Sequence, residues 1–448
     1  MYLDEWRKKE WAARFDLWRK AIKEHFYIKL DTVELSGFVT KEQLTFEQAE
    51  KRSFKKFPVG TKWGRMGEYC WFKTKIKLPK EAAEKRIVFY PETGWESLIY
   101  LNGVTVGSTS WGREQVTIAR PGKNGQVVNV MMEIYAGHGD PQCGRFPIKY
   151  DDPGFVDPGM QQIIKESSFG IWDEVAYGLW ADIEVLFNLL KWLNPNSLRV
   201  MEVEKALRDF TIIVDFELPY KEKIKTFIAA RKRLKKVLDC KNSATTPEFH
   251  AFGHGHLDVA WLWPLSETER KAARTFSNQM QLAEEYPWYK FLQSEPHLYW
   301  MLKNKYPKTY KRLKKFVKAG KIIPDGSMWV EPDMNIASGE ALIRQCIHGK
   351  RFFKEEFGIN NELLWLPDVF GYSGALPQIL RGCGIKYFAT AKIFWNYNGG
   401  DGFQFNTFNW EGIDGSQVLA HLFVDYNSDG VSEDIIYKWN TRYTKYRD

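Results

Sequence analysis

From residue 248 onward, short apolar runs alternate with helical patterns, and this alternation narrows the fold more than any single motif. The runs are Glu248–Phe252, Tyr289–Gln293, Lys321–Pro324, Glu362–Leu366 and Lys386–Thr390. Helix-period segments fall between them, near 266–285, 297–318, 339–356 and 375–382. Strand-rich pieces follow at 404–410 and 417–424. Repeated strand–helix units predict a parallel sheet covered by helices. We expect it to be barrel-like, with its chemistry in the loops that follow each strand.

The upstream half reads differently. Trp6, Trp11, Phe15, Trp18 and Ile22 recur at helical spacing, so 1–59 is expected to be an N-terminal helical segment. Alternating runs then dominate 60–190. Tyr69–Leu78, Arg86–Tyr90 and Val127–Tyr135 read as strands, and Asn102-Gly103 sits as a hairpin turn between Ser97–Leu101 and Val104–Val106. These features predict a jelly-roll-like β-sandwich, a domain type that can bind carbohydrate or simply pack on its neighbour. Residues 191–246 read as a helical, basic linker, and 247–448 as the α/β domain. The fold class is therefore α/β plus β, with several domains for 448 residues.

Composition excludes some functions. With 64 basic and 56 acidic residues the net charge is +8, too small an excess at this length to imply nucleic acid. The Lys/Arg-rich stretch Tyr220–Leu238 has an apolar face and no nucleic-acid motif beside it, so it reads as a solvated amphipathic helix. No apolar run is long enough for a membrane span and no signal peptide is evident at the N-terminus. The five cysteines include no CxxC pair, which points to reduced thiols and a cytoplasmic protein. The 16% aromatic content suits sugar stacking as well as large mixed cores.

The expected strand ends collect polar and aromatic groups. His254, His256, Asp258 and Trp261 follow the first run, and Ser294, Glu295 and His297 the second. Glu331 and Asp333 follow the third, Asp368 and Phe370 the fourth, and Lys392 the fifth. A His with Asp carboxylates suits Zn²⁺ or a similar divalent ion. In an extended segment His256 and Asp258 point the same way, and His254 shares that alternation and competes for the ligand role. An ordinary helix cap is the plain alternative for Asp368, and a solvated lysine for Lys392.

Three segments then carry a resemblance. His256-Leu257-Asp258-Val259-Ala260-Trp261-Leu262-Trp263-Pro264, Trp329-Val330-Glu331-Pro332-Asp333 and Trp365-Leu366-Pro367-Asp368-Val369-Phe370-Gly371-Tyr372-Ser373 resemble, in order, the family 38 glycoside hydrolases, the retaining α-mannosidases. The preceding sandwich and helices resemble the cytosolic and bacterial branch. The resemblance implies a (β/α)7-type barrel, incomplete here, acting on mannose-containing oligosaccharides. It implies His256, Asp258 and Asp368 as ligands of a divalent ion, most simply Zn²⁺, with Asp368 also the nucleophile. It implies Trp261, Phe370, Lys392, Glu331 and Asp333 as substrate-binding.

The family's fourth metal ligand and its acid/base carboxyl find no match in this sequence. Asp425, Asp429 and Asp434 lie before the loop where that carboxyl belongs. The chain is therefore expected to be the N-terminal portion of a longer protein, with the acid/base beyond residue 448 and little activity alone. Two further readings stand beside this one: a metal-dependent polysaccharide deacetylase, and a non-catalytic carbohydrate-binding fragment. A homo-oligomer is compatible with all three.

Overall fold

The sandwich begins earlier in the chain than its alternating pattern predicts. A computed structural model describes residues 5–94, 96–110, 112–137, 159–242, 244, 246, 248–394, 405–423, 426 and 430–441. Its six-stranded antiparallel sheet runs in the order Lys55–Lys56, Ser36–Thr40, Tyr69–Lys77, Val127–Tyr135, Ser97–Leu101, Val104–Thr109. Two of these strands lie inside the stretch expected to be helical. Ser36-Gly-Phe-Val-Thr40 shows little alternation, and its pairing is set by its partner: Phe38 lies opposite Trp71 in register. The Asn102-Gly103 turn is present, with both residues at positive φ. Facing strands Ile87–Tyr90 and Val116–Ala119 pair antiparallel.

The chain divides into two compact units, and one is helical. It contains Glu5–Lys23, Glu174–Leu190, Leu198–Ile213 and Tyr220–Leu238, whose apolar faces meet in a core of Phe15, Ile22, Leu179, Ile183, Phe210, Phe227 and Leu234. Asp173 starts the second helix by accepting the Val175 and Ala176 N–H groups at 2.9 Å. The stretch expected as a basic linker is thus part of a packed bundle. Arg231 pairs with Asp182, and Arg233 with Asp209, so some of its charge ties helices together.

The other unit combines the sandwich with the α/β region. Strands Gly253–His254, Phe291–Gln293 and Ile322–Pro324 are parallel neighbours. Leu363–Leu366, Tyr387–Thr390 and Gln417–Leu422 form a second parallel run, edged by antiparallel Thr407–Glu411. The described strands therefore make two parallel sheets, and closure into one barrel is not seen among them. The first strand also differs from expectation. Residues 248–252 are irregular, with Phe249 and Phe252 about half exposed, and the ladder starts at Gly253. A side chain there would meet Tyr289 Oη at 2.3 Å, so any larger residue requires the Tyr289 ring to shift. The expected helix at 297–318 is two helices, Pro296–Lys305 and Pro307–Lys318, because Pro307 cannot continue the first.

One core joins sandwich to helix within this unit. Trp71, Leu98, Tyr100 and Met131 from the strands meet Ala272, Ala273, Phe276 and Met280 of the helix Leu265–Glu285. A buried ionic layer crosses the same surface. Arg270 donates to Glu133 at 2.8 Å, Lys271 and Arg274 pair with Glu96, and Glu267 accepts from Tyr69 and Arg274.

Candidate metal and sugar site

The helix Leu265–Glu285 also anchors the candidate site. Trp263 Nε1 donates to Thr268 Oγ1 at 2.9 Å, and that hydroxyl donates to the Asp258 carbonyl at 3.2 Å. From the next strand, Gln293 Nε2 donates to the Gly255 carbonyl at 2.8 Å. The backbone on either side of His256 is therefore held by two different elements.

The structure brings His256, Asp258 and Asp368 together, with one potential ligand atom from each lying within 4.8 Å of the others. His256 Nε2 is 3.4 Å from Asp258 Oδ1 and 3.3 Å from Asp368 Oδ2. It is buried and lacks a formed hydrogen bond. A buried ring nitrogen aimed between two carboxylates is the donor set a divalent ion takes, so these residues fit the metal that the resemblance implies. Among the described residues this is the one such group of three.

The electrostatics agree with a site for a cation. Burial opposes charge on His256, but Asp258, Asp368 and Glu331 outweigh it and push the imidazole up to about 12 in the ion-free protein. Burial also opposes charge on Asp368, yet the adjacent His256 ring, with the bonds from Lys392 and Tyr426, holds it well below the usual carboxylate range. Asp368 is not a helix cap; the helix that follows starts at Leu376 and its N-cap is Ala375. His254 separates from the ligand group. Its Nε2 accepts the Trp365 indole N–H at 3.1 Å, and burial, helped by the charge of His256, lowers it to about 4.

The other expected residues divide by exposure. Trp261 and Phe370 are open, at 66% and 69% exposed, and offer flat apolar faces. Lys392 is buried, paired with Asp368, and its ammonium lies 4.1 Å from the Phe370 ring centroid, so it is not a solvated lysine. Glu331 lies behind the cluster, its side chain 7% exposed, with Oε1 3.0 Å from His256 Nδ1. Asp333 closes its own loop by accepting the Asn335 and Ile336 N–H groups at 2.8 and 2.7 Å.

Tyr426 was missed in the sequence. Its hydroxyl donates to Asp368 Oδ1, and its ring lies edge-on to His256 with centroids 5.8 Å apart. It follows the strand Gln417–Leu422, so the strand-end rule that gathers the other residues applies to it as well. The carboxylates Asp425 and Asp429 lie outside the described residues, while Asp434 is in the helix Ser432–Thr441.

Residues 246–448 match the model for the glycosyl hydrolases family 38 N-terminal domain, and residues 29–151 match the alpha-mannosidase jelly roll domain. The chain belongs to glycoside hydrolase family 38. Relatives within that likeness include alpha-mannosidase 2C1 of Mus musculus, 32% identical over 415 residues that cover 90% of this chain and 38% of the relative. Alpha-mannosidase G of Dictyostelium discoideum is 32% identical over 93% of this chain and 38% of its own length. The alpha-mannosidase of Saccharomyces cerevisiae is 39% identical over 85% of this chain and 35% of its own length. The family 38 chain described here thus spans well under half the length of these relatives. The jelly roll match beginning at residue 29 agrees with a sheet that already includes Ser36–Thr40.

Proposed function

We propose that this chain carries the metal and nucleophile half of a retaining α-mannosidase site acting on terminal α-mannosides of glycans. The observation that supports it most is the convergence of His256, Asp258 and Asp368, with the exposed rings of Trp261 and Phe370 carried a few residues away on the same loops. His256, Asp258 and Asp368 would hold a divalent ion, most simply Zn²⁺. When bound, the ion supplies positive charge that holds sugar hydroxyls and keeps a carboxylate ionised.

Asp368 is the proposed nucleophile. A retaining glycosidase forms a covalent glycosyl ester on a carboxylate that must be ionised at neutral pH. The bonds from Lys392 and Tyr426 keep Asp368 ionised and orient it. Trp261 and Phe370 are proposed to stack on the sugar, and Lys392 to lie beside it. The acid/base carboxyl is assigned to no described residue. The 448-residue chain alone is therefore expected to turn over aryl α-mannosides slowly.

Four of its cysteines are free thiols, which supports a cytoplasmic setting. No described helix is long and apolar enough to cross a membrane. The relatives, named as α-mannosidases, favour glycoside hydrolysis over deacetylation.

The test is a fluorinated mannosyl donor that accumulates the ester, followed by peptide mass mapping. Label on the peptide containing Asp368, absent from Asp368→Asn, is expected. Label on another carboxylate, or equal label on the variant, would remove Asp368 as nucleophile.

A further inference from the structure

Glu331 stands in the loop Trp329–Asp333 that was expected to border the sugar, yet its carboxylate faces the protein. Its side chain is 7% exposed, whereas the open faces belong to Trp261 and Phe370. Its Oε1 lies 3.0 Å from His256 Nδ1, the ring nitrogen opposite the one aimed at Asp258 and Asp368. The loop that carries it is pinned from behind. Glu295 Oε1 accepts the Glu331 N–H at 3.2 Å, and the Trp329 carbonyl accepts the His297 N–H at 3.1 Å. Glu295 and Glu331 are both deeply buried, each with one carboxylate oxygen lacking a partner.

We propose that Glu331 is a positioning residue for metal binding: its carboxylate accepts the His256 Nδ1 proton, fixes the tautomer and turns Nε2 toward the ion. This rests on the metal-site reading above and changes the role of one residue within it. A carboxylate on the far nitrogen makes an imidazole a better donor and sets its plane. Two carboxylates placed close together in a buried pocket repel, and what offsets this at Glu331 is His256 together with the Asp368 backbone N–H. Glu295 then serves to hold the Glu331 backbone through its N–H.

The experiment measures Zn²⁺ affinity of the full 448-residue chain by competition with a chromophoric chelator, with melting temperature in parallel. Glu331→Gln is expected to weaken Zn²⁺ binding about 10- to 100-fold, with the melting temperature kept or raised. Asp333→Asn, in the same loop but away from the ring, is expected to stay within about twofold of wild type. Glu331→Gln within about twofold of wild type would overturn the inference. So would an equal loss in Asp333→Asn, or a loss seen only together with melting. His256→Ala separates the two levels. If His256→Ala binds Zn²⁺ as wild type does, the metal-site reading fails and this inference with it. If His256→Ala loses binding while Glu331→Gln keeps it, only the positioning role fails.

Discussion

Arg270→Met offers a sharp test of how the sandwich is joined to the α/β region. Arg270 Nε and Glu133 Oε1 are 2.8 Å apart, with side chains only 1% and 2% exposed. The guanidinium also lies 3.7 Å from the centroid of the Tyr69 ring. At an effective dielectric constant near 20 the pair attraction is roughly 6 kcal/mol, offset by several kcal/mol of desolvation for each ion. Replacing Arg270 alone leaves Glu133 buried and uncompensated, which costs about 3–5 kcal/mol. For a unit of this size, about 2 °C per kcal/mol gives a melting temperature lower by roughly 6–10 °C. Burial already outweighs Arg270 and raises the Glu133 carboxyl above its ordinary value; in the variant it rises further. The folded state then binds a proton that the unfolded state releases, so the variant's stability increases as pH falls toward the unfolded value. Urea unfolding at several pH values measures both effects. The double variant Arg270→Met/Glu133→Leu is expected to recover to within about 1 kcal/mol of wild type. A single variant that costs under about 1 kcal/mol, or a double that costs the sum of both singles, would refute the reasoning.

Three further outcomes follow from the same structure. Trp365→Phe removes the indole donor to His254 and leaves that buried imidazole unpaired; chemical denaturation should show a loss of about 1–3 kcal/mol with Zn²⁺ affinity nearly unchanged. Burial opposes the charge of Glu96, but Arg274 and Lys271 lower its carboxyl to about 2. That contribution, about 3 kcal/mol, is present above the unfolded carboxyl value of 4.5 and is lost as pH falls toward 2, so Glu96→Gln should flatten the acid limb of a stability profile. Gly349→Ala places a methyl group 2.1 Å from the Ser327 carbonyl oxygen, and thermal melting should show about 1–3 kcal/mol of destabilisation, because the neighbour is backbone and cannot move aside.

The ligand-bearing loops were legible in the sequence because each follows a short apolar run, although the strands before His256 and before Asp368 belong to separate sheets and their meeting is tertiary. The motif around Asp368 carries its own turn, and no tertiary information is needed to find it. The direction of a loop side chain is different. Glu331 and Asp333 have the same alternation phase, yet one points at His256 and the other at its own backbone. That choice depends on Glu295 and the packing behind the loop, which no local pattern encodes. The early strand Ser36–Thr40 was hidden for a similar reason: its pairing with Tyr69–Lys77 holds it in the sheet, not its own periodicity. The basic helix Tyr220–Leu238 looked like a connector because charge dominates its composition, although Phe227, Ala230 and Leu234 are fully buried.

The ionic layer between sandwich and helix bears on how such a protein can be cut or recombined. Arg270, Lys271 and Arg274 each find their carboxylate on the sandwich side, in Glu133 or Glu96. Excising residues 248–426 would strip Arg270 and Lys271 of their counterions and leave Arg274 with Glu267 alone, on the same helix that anchors the Asp258 backbone through Thr268. The sandwich and the α/β region thus fall in one compact unit, and a chimera that exchanges the sandwich must carry both carboxylates across the junction.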